Sequence, residues 1–281
     1  MHSLDWEHLR HFAAFVHGRS LSAAAIRLAV DHATVARRIA ALEAALGVKL
    51  VDRRARIPAL TTEGARIAAL VLRVEAEVLG VVRAARGLLP AVAGEVSISA
   101  PPTIANALIA PRLPVLRARH PAIRIRLAGE KRIASLARGE ADVALRLTRP
   151  TEAGLAGRRL GSFRFALYAT AEGKDRGLIA FDDDGARLPQ QRWLRRLARP
   201  IVLTTNDLES QIAAARAGVG AAAIPDFLAA RYPELVRVPT RARPVTREVW
   251  LVVHDDLRAA PAVRAVIDFL GEACRELAGR P

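Results

Sequence analysis

The sequence contains one cysteine, few aromatic residues and almost no lysine. A single cysteine, Cys274, among 281 residues excludes a framework of intramolecular disulfides and suits a reducing compartment. No apolar run approaches the roughly 20 residues needed to span a bilayer, and the chain start lacks the basic-then-apolar order of a signal peptide. We therefore expect a globular protein of the cytoplasm.

Catalytic, cofactor and metal motifs are also missing from the sequence. It contains no nucleophile elbow and no His-Glu-x-x-His zinc motif. Gly218 and Gly220 lack the third glycine of a nucleotide-binding loop, and the consecutive acids 182–184 lack the alternation of a calcium loop. His8 and His11 could share a helix face, but no third ligand is evident. We expect no enzymatic activity, no cofactor and no bound metal.

The chain is strongly basic, with a net charge of +15. Residues 1–92 carry a net charge of +5 and residues 93–281 carry +10, so the excess is spread over the chain. Forty of the 43 basic residues are arginine, which a compositional bias would also produce. Charge alone therefore gives only weak support for a nucleic-acid partner.

Two helical patterns separated by three residues stand out near the N-terminus. The first covers residues 22–28, the break covers residues 29–31, and the second pattern runs from His32 to Leu46. Asp31 is a suitable N-cap for the second helix. The apolar residues that share one face of this helix are Val35, Ile39, Leu42 and Leu46. Helix, tight turn and helix in this order predict a helix-turn-helix.

The second helix has a basic outer face that would enter the DNA major groove. The residues predicted to contact DNA there are His32, Ala33, Thr34, Arg37 and Arg38. The planar guanidinium of Arg37 matches guanine O6 and N7, whereas Arg38 is predicted to hold a phosphate.

A basic hairpin follows this helix. Gly47 ends the helix, residues 48–51 predict a strand, and residues 59–61 predict the returning strand. Between them lie Arg53, Arg54 and Arg56, placed for phosphate or minor-groove contacts. A small helical domain with a solvated basic face is the alternative interpretation of the whole segment.

An ordered series of short motifs runs through the N-terminal third. Its members are Ala23-Ala24-Ala25, Leu28, Val35-Ala36-Arg37-Arg38-Ile39, Leu42-Glu43, Leu46-Gly47, Leu50-Val51-Asp52-Arg53 and Leu60-Thr61-Thr62-Glu63-Gly64. In this series the N-terminal third resembles the LysR-type transcriptional regulators. Ala36 replaces the family's usual serine, Val51 replaces its phenylalanine, and residues 31–33 replace a Ser-Gln-Pro-like start. The last change alters the expected DNA target more than DNA binding itself.

A long helical segment follows, at about residues 63–89. Its apolar residues Ile67, Val71, Val74, Val78, Val81, Ala85 and Leu88 keep a 4-3 spacing, which is a heptad seam that requires a partner helix. We expect a dimerising linker helix, because a palindromic DNA site needs two recognition helices in a fixed relation. The alternative is an amphipathic helix packed on its own domain. The family resemblance implies paired linkers and often a dimer of dimers.

The remaining two thirds alternate between strands and helices, which predicts βαβ units and a mainly parallel sheet. The predicted strands are 95–100, 123–128, 141–147, 163–169, 200–203, 220–224 and 248–254. The predicted helices are 103–120, 133–138, 208–217, 226–231 and 261–277. Residues 139–144, 217–221 and 224–225 resemble motifs of the LysR-type effector domain.

The predicted fold is therefore an N-terminal all-α winged helix-turn-helix with a long linker helix, followed by an α/β two-lobed effector domain of the periplasmic-binding-protein-like (type 2) fold. The winged helix-turn-helix covers residues 1–62, the linker helix 63–89, a hinge 90–94 and the effector domain 95–281. Within the effector domain, lobe I comprises about 95–162 and 255–281, and lobe II about 163–254.

Ligands of open α/β sheets bind at the carboxyl ends of the strands. The residues predicted to bind an effector there are Pro102, Thr103, Gly129, Thr148, Arg149, Thr205, Asn206 and Pro225. Thr103 at a helix N-terminus, with Arg146 and Arg149 nearby in sequence, favours a small organic anion such as a carboxylate. Alternatively, Thr103 only caps its helix and the arginines are solvated.

These features predict a DNA-binding transcriptional regulator that responds to a small molecule. A solute-binding protein would explain the C-terminal lobes but not the helix-turn-helix. A small-molecule enzyme would need a convergent catalytic set, and the sequence shows none.

Overall fold

The computed structural model describes residues 4–52, 58–87, 92–130, 132–182 and 185–278. The chain divides into two compact units, Met1–Ala85 and Arg86–Pro281. In the described ranges no helix is both long and apolar enough to cross a membrane. The predicted wing arginines Arg53, Arg54 and Arg56, and part of the predicted hinge, lie outside the described residues.

Three helices open the first unit, and each begins at a side-chain cap. They are α1 (Trp6–Gly18), α2 (Leu21–Leu28) and α3 (His32–Leu46). The caps are Asp5, Ser20 and Asp31, whose side-chain oxygens accept from Glu7, Ala23 and Thr34 backbone N–H groups. These bonds satisfy donors that a helix start leaves unpaired. The predicted helix-turn-helix and its Asp31 cap are confirmed.

The core of this unit is built from one face of each helix. Val35, Ile39 and Leu42 of α3 are completely buried, as the predicted spacing requires. They belong to the same apolar cluster as Phe12 and Phe15 of α1. Burial of such side chains supplies most of the stability of a small domain, and it leaves the opposite face of α3 in solvent.

A short hairpin connects α3 to the next helix. Its strands are β1 (Val51–Asp52) and β2 (Ala59–Leu60), which pair antiparallel. The predicted strand 48–51 is wrong for residues 48–50. The Val48 N–H goes to the Glu43 carbonyl and the Leu50 N–H to the Glu43 carboxylate, so these donors are not available to a partner strand. Thr61, predicted as part of the returning strand, instead accepts from the Gly64 backbone N–H at the start of the following helix.

The linker helix α4 (Thr62–Gly87) has a buried start and an exposed continuation. Ala68 and Val71 join the core of the first unit. Farther along the predicted seam, Val74, Val78 and Val81 are 42%, 38% and 72% exposed. A helix packed only on its own domain would bury this stripe, so the exposure favours a partner helix.

The second unit is built on one sheet, in the order β4-β3-β5-β11-β6-β9-β7-β8, with β10 paired to β6. The strands are β3 (Gly94–Ala100), β4 (Ile123–Gly129), β5 (Val143–Arg146), β6 (Leu155–Ala169), β7 (Leu178–Phe181), β8 (Ile201–Thr205), β9 (Ala221–Pro225), β10 (Val236–Arg237) and β11 (Val245–His254). Gly94, predicted in the hinge, is the first residue of β3.

The sheet is mixed, so the prediction of a mainly parallel sheet is wrong. β3 runs parallel to β4 and β5, and β7 runs parallel to β8 and β9. The long strands β6 and β11 pair antiparallel with each other and with their neighbours. They join the two parallel sets, which gives the two-lobed α/β domain expected from the sequence.

The helices of the second unit are α5 (Pro102–Ile104), α6 (Leu113–Arg119), α7 (Pro189–Arg195), α8 (Leu208–Arg216), α9 (Asp226–Ala229), α10 (Pro261–Ala273) and α11 (Arg275–Ala278). They differ from prediction in four places. Two are α7, which was not predicted, and Cys274, where the predicted helix 261–277 is divided into α10 and α11. The single helix predicted at 103–120 is interrupted between α5 and α6 by a π-helical and a 3₁₀ segment, since Pro111 and Pro114 remove backbone donors. The helix predicted at 133–138 is absent, since residues 133–135 are irregular and residues 136–138 belong to a turn. The Glu140 side chain accepts the Ser135 N–H.

The strand register brings the predicted ligand-binding ends together. β3 ends beside β4 at the pair Ala100–Gly129, and β5 ends at Arg146, opposite Trp250 of β11. β9 ends at Pro225, opposite Phe165 of β6. The carboxyl ends of the parallel strands in both lobes therefore face the region where β6 and β11 cross.

Candidate nucleic-acid interface and effector site

The first turns of α3 form an exposed, basic face. His32, Ala33 and Arg37 are exposed, and Thr34 is half-buried. On the other side of the helix Val35 and Ile39 are completely buried. The outer face is thus held by a rigid core while its side chains remain accessible, as a helix that reads a DNA groove requires.

A hydrogen-bond chain orders the N-terminal turn of α3. Thr34 donates its hydroxyl to Asp31 over 2.8 Å and its backbone N–H over 2.6 Å. Arg37 donates from Nη2 to the Thr34 hydroxyl over 3.2 Å. The Thr34 backbone and hydroxyl donors hold the pKa of Asp31 below its ordinary value. Arg37 is thereby oriented by its own helix before any DNA is bound.

Arg38 is positioned differently from the other predicted DNA contacts. Its Nη1 lies 3.3 Å from Nε2 of His8 and 3.7 Å from a carboxylate oxygen of Asp5. Arg38 is therefore tied to the start of α1 and does not lie free on the exposed face. Its predicted contact with phosphate would have to be made by the guanidinium atoms that these partners leave open.

Glu43 is a buried carboxylate that organises the path from α3 to the hairpin. It is 3% exposed and accepts from Leu50 N at 2.9 Å, Val51 N at 3.1 Å and Lys49 Nζ at 3.0 Å. Burial opposes ionisation, but these hydrogen bonds outweigh it, so the pKa of Glu43 lies below its ordinary value. The sequence showed Glu43 only as part of a motif and gave no sign of this role.

Gly64 marks a second close contact at the base of the hairpin. A Cβ atom at this position would lie 2.0 Å from the Leu50 carbonyl oxygen. Only glycine allows the start of α4 to approach this backbone segment so closely. The glycine of the Leu60-Thr61-Thr62-Glu63-Gly64 motif is therefore explained by packing.

The sequence comparisons agree with this architecture. Residues 6–65 match the family described as the bacterial regulatory helix-turn-helix protein, lysR family, and residues 91–275 match the LysR substrate binding domain. The chain belongs to the LysR family. It is a DNA-binding transcriptional regulator with an effector-binding domain, and not an enzyme.

One relative of known role and two solved structures are similar over nearly the full length of this LysR-family chain. The Mau operon transcriptional activator of Paracoccus denitrificans is 31% identical over 98% of this chain and 99% of its own. The structure of CrgA from Neisseria meningitidis has a TM-score of 0.58 at 23% identity, covering 97% of this chain and 99% of its own. AphB of Vibrio cholerae has a TM-score of 0.60 at 19% identity, covering 95% and 98%.

In the effector domain of this LysR-family protein, two predicted ligand residues lie side by side. A Cβ atom at Gly129 would lie 3.5 Å from the Pro102 Cα, so β4 ends against the start of α5. Thr103 is in that same short helix, which has no side-chain cap. The sequence alternative in which Thr103 caps the helix is therefore wrong.

The arginines near β5 have different surroundings. Arg146 is buried, and its Nη1 donates to both Glu152 carboxylate oxygens over 2.9 and 3.0 Å. Arg149 is exposed and stacks on the Trp250 ring at 5.6 Å. Arg146 is thus already neutralised by a carboxylate, while Arg149 and its exposed neighbour Thr148 are accessible.

The predicted effector-binding residues of lobe II differ from one another in exposure and in hydrogen bonding. The Thr205 hydroxyl donates to the Asp207 carbonyl over 2.8 Å, which shapes the turn into α8. Asn206 is exposed and Pro225 is buried. These residues lie at the carboxyl ends of β8 and β9, but the Thr205 hydroxyl donates its hydrogen bond within its own turn.

The Gly139–Ala144 motif is structural. The Glu140 carboxylate accepts from Ser135 N at 2.9 Å and Arg132 Nη1 at 2.6 Å. Burial acts to raise the pKa of Glu140, but these hydrogen bonds and the charges of Arg138 and Arg132 have the larger effect. Together they lower the pKa of Glu140 to about 2. Asp142 accepts the backbone N–H and hydroxyl of Ser97, which fixes β5 against β3. The motif holds lobe I together.

Sequence reasoning missed Arg247 and Gln190. Arg247 donates from Nη1 to the Gln190 side-chain oxygen over 3.3 Å and from Nη2 to the Leu147 carbonyl over 3.2 Å. The position of Arg247 depends on the register of β11, and α7 was not predicted at all. The sequence therefore carried no signal that would bring these two residues together.

Proposed function

We propose that this LysR-family regulator acts in the cytoplasm, binds an interrupted palindrome as a dimer paired through α4, and assembles further into a tetramer. The exposed stripe on α4 supports pairing, because a heptad seam left in solvent is costly. The observation that carries DNA reading is the exposed N-terminal face of α3 above a completely buried opposite face.

We expect Arg37→Ala to weaken binding to the preferred operator by about 1–3 kcal/mol and to relax preference at one base pair. Arg37 is exposed and oriented by Thr34, so its loss removes a base contact without disturbing the core. Binding to operators with each base pair changed in turn measures the effect. Unchanged affinity and unchanged preference would show that Arg37 does not read a base.

Arg54→Ala provides a contrasting result. Loss of a wing arginine that contacts phosphate should weaken binding to all sequences alike. It should also reduce the dependence of affinity on salt by about one unit of slope. A change of base preference in Arg54→Ala would contradict the assignment of Arg54 to the phosphate backbone.

The proposed effector is a small organic anion, such as a carboxylate, bound between the two lobes. Closure of the lobes around it would change the spacing of the helix-turn-helix pairs in the tetramer, and with it the bend of the bound DNA. The ligand shifts this equilibrium only if it binds one state more tightly than the other. The convergence of strand ends near β6 and β11 supports this location.

A gel shift with the promoter region beside the protein's own gene, with and without small acids, tests the proposal. We expect a specific shift that survives random competitor DNA and whose mobility or affinity changes with an acid but not with its amide. No preference over competitor at moderate salt would overturn sequence-specific binding. A response to neutral compounds alone would overturn the anionic effector.

A further inference from the structure

Arg247 lies where the two lobes meet. It is located on β11 between Val245, which pairs with Phe165, and Trp250, which pairs with Arg146 of β5. Phe165 in turn pairs with Pro225 at the end of β9 in lobe II. The backbone of Arg247 is thus within the segment that crosses from one lobe to the other.

The guanidinium of Arg247 contacts both lobes. Its Nη2 donates to the carbonyl of Leu147, the residue that follows β5 of lobe I, and its Nη1 donates to Gln190 in the first turn of α7 of lobe II. Gln190 is buried and Arg247 is part-buried. One side chain therefore contacts the residue that follows β5 in lobe I and the first turn of α7 in lobe II.

Both acceptors of Arg247 are neutral, in contrast to the partners of three nearby arginines. Arg146, Arg159 and Arg164 pair with the carboxylates of Glu152, Glu248 and Asp226. Among the residues that the structure describes, no carboxylate lies within ion-pair distance of Arg247. A part-buried cation normally has a counter-charge, because desolvation penalises an isolated charge.

The pKa of Arg247 also reflects the desolvation of its charge. Burial alone lowers the pKa of Arg247 below its ordinary value. An anion beside the guanidinium would offset that desolvation and use the N–H donors that Gln190 and Leu147 do not occupy. The planar fork of arginine suits a carboxylate with two oxygens in one plane.

We infer that Arg247 is the cationic anchor for a carboxylate-bearing effector, and that its bonds to Leu147 and Gln190 couple that carboxylate to both lobes. This inference rests on the proposed anionic effector and names a residue outside the set predicted from the sequence. Arg149, which is exposed and stacked on Trp250, then borders the site without providing its main charge.

The test uses the full chain and two carboxylates, sodium benzoate and sodium succinate, each compared with its amide at matched ionic strength. Unfolding temperature is followed by tryptophan fluorescence while each compound is titrated. For the wild-type protein we expect a saturable rise with at least one carboxylate and none with its amide. In Arg247→Gln the concentration for half-maximal effect should rise about tenfold or more, because a charge-assisted bidentate contact is lost.

Arg159→Gln is the matched control. It removes a guanidinium from β6, the strand paired with β11, and this guanidinium already has Glu248 as its carboxylate partner. It should respond to carboxylate as the wild type does. Arg247→Lys keeps the charge but loses the fork, and it should give an intermediate response. Circular dichroism identifies a variant that has failed to fold, in which case Arg247→Lys decides the outcome.

The outcomes separate this inference from the proposed function. If Arg247→Gln responds to carboxylate as tightly as the wild type, or if the wild type responds to neither carboxylate, Arg247 is not the anchor. Binding of Arg247→Gln to operator DNA without carboxylate should match that of the wild type. If wild-type protein shows no operator preference, sequence-specific DNA binding fails, whatever Arg247 does.

Discussion

The double substitution Val74→Glu/Val81→Glu should convert the protein to monomers and reduce its affinity for a palindromic operator by about 100-fold or more. Both valines are exposed on the α4 seam, where two chains would bring four carboxylates into an apolar contact. Separate monomers lose the gain in effective concentration that links two half-sites. Sedimentation measures the first effect, and operator titration measures the second.

Ala69→Glu/Ala84→Glu is the matched control for this experiment. It adds the same charge to the same helix at exposed positions that lie outside the heptad seam. This variant should sediment like the wild type. Equal mass for both double variants and the wild type would show that the valine stripe is not the dimer contact.

Glu43→Ala should reduce the stability of the α3–hairpin segment by about 3 kcal/mol, because the buried N–H groups of Leu50 and Val51 lose a charged acceptor. The hairpin would then lose its position beside α3, and affinity for DNA should fall with it. Hydrogen exchange in peptides covering residues 43–52 of the full chain measures the local loss. Exchange equal to that of the wild type would contradict the role assigned to Glu43.

The same carboxylate predicts a pH dependence. The pKa of Glu43 is lower in the folded protein than its ordinary value of 4.5. Its stabilising effect is therefore fully present above about pH 4.5 and is lost as the pH falls through the lower folded pKa. In Glu43→Gln the hydrogen-exchange protection of residues 43–52 should depend less on pH in the acid range. Glu77→Gln, at an exposed position on α4, should leave the pH dependence unchanged.

Local sequence patterns determined the DNA-binding unit well. The signals for the helix-turn-helix act between residues close together in the chain: the Asp31 cap, the break at residues 29–31 and the apolar spacing from Val35 to Leu46. Propensity, capping and periodicity therefore already specify this motif. The same holds for the alternation of strands and helices that predicts an α/β effector domain. Errors arose where a carboxylate several residues away takes a backbone donor: Leu50 gives its N–H to Glu43, and Ser135 gives its N–H to Glu140.

The candidate effector site depended far more on tertiary structure. The sequence by itself located the carboxyl ends of β3, β4, β5, β8 and β9 closely but missed β7. It could not show that Arg146 is neutralised by Glu152 or that the Thr205 hydroxyl bonds within its own turn. The chain order also concealed that Arg247 joins Leu147 and Gln190, residues far from it in sequence. Helix caps and heptads are set by neighbours along the chain, whereas the charge balance of a cleft is set by the register of crossing strands, which only the folded sheet fixes.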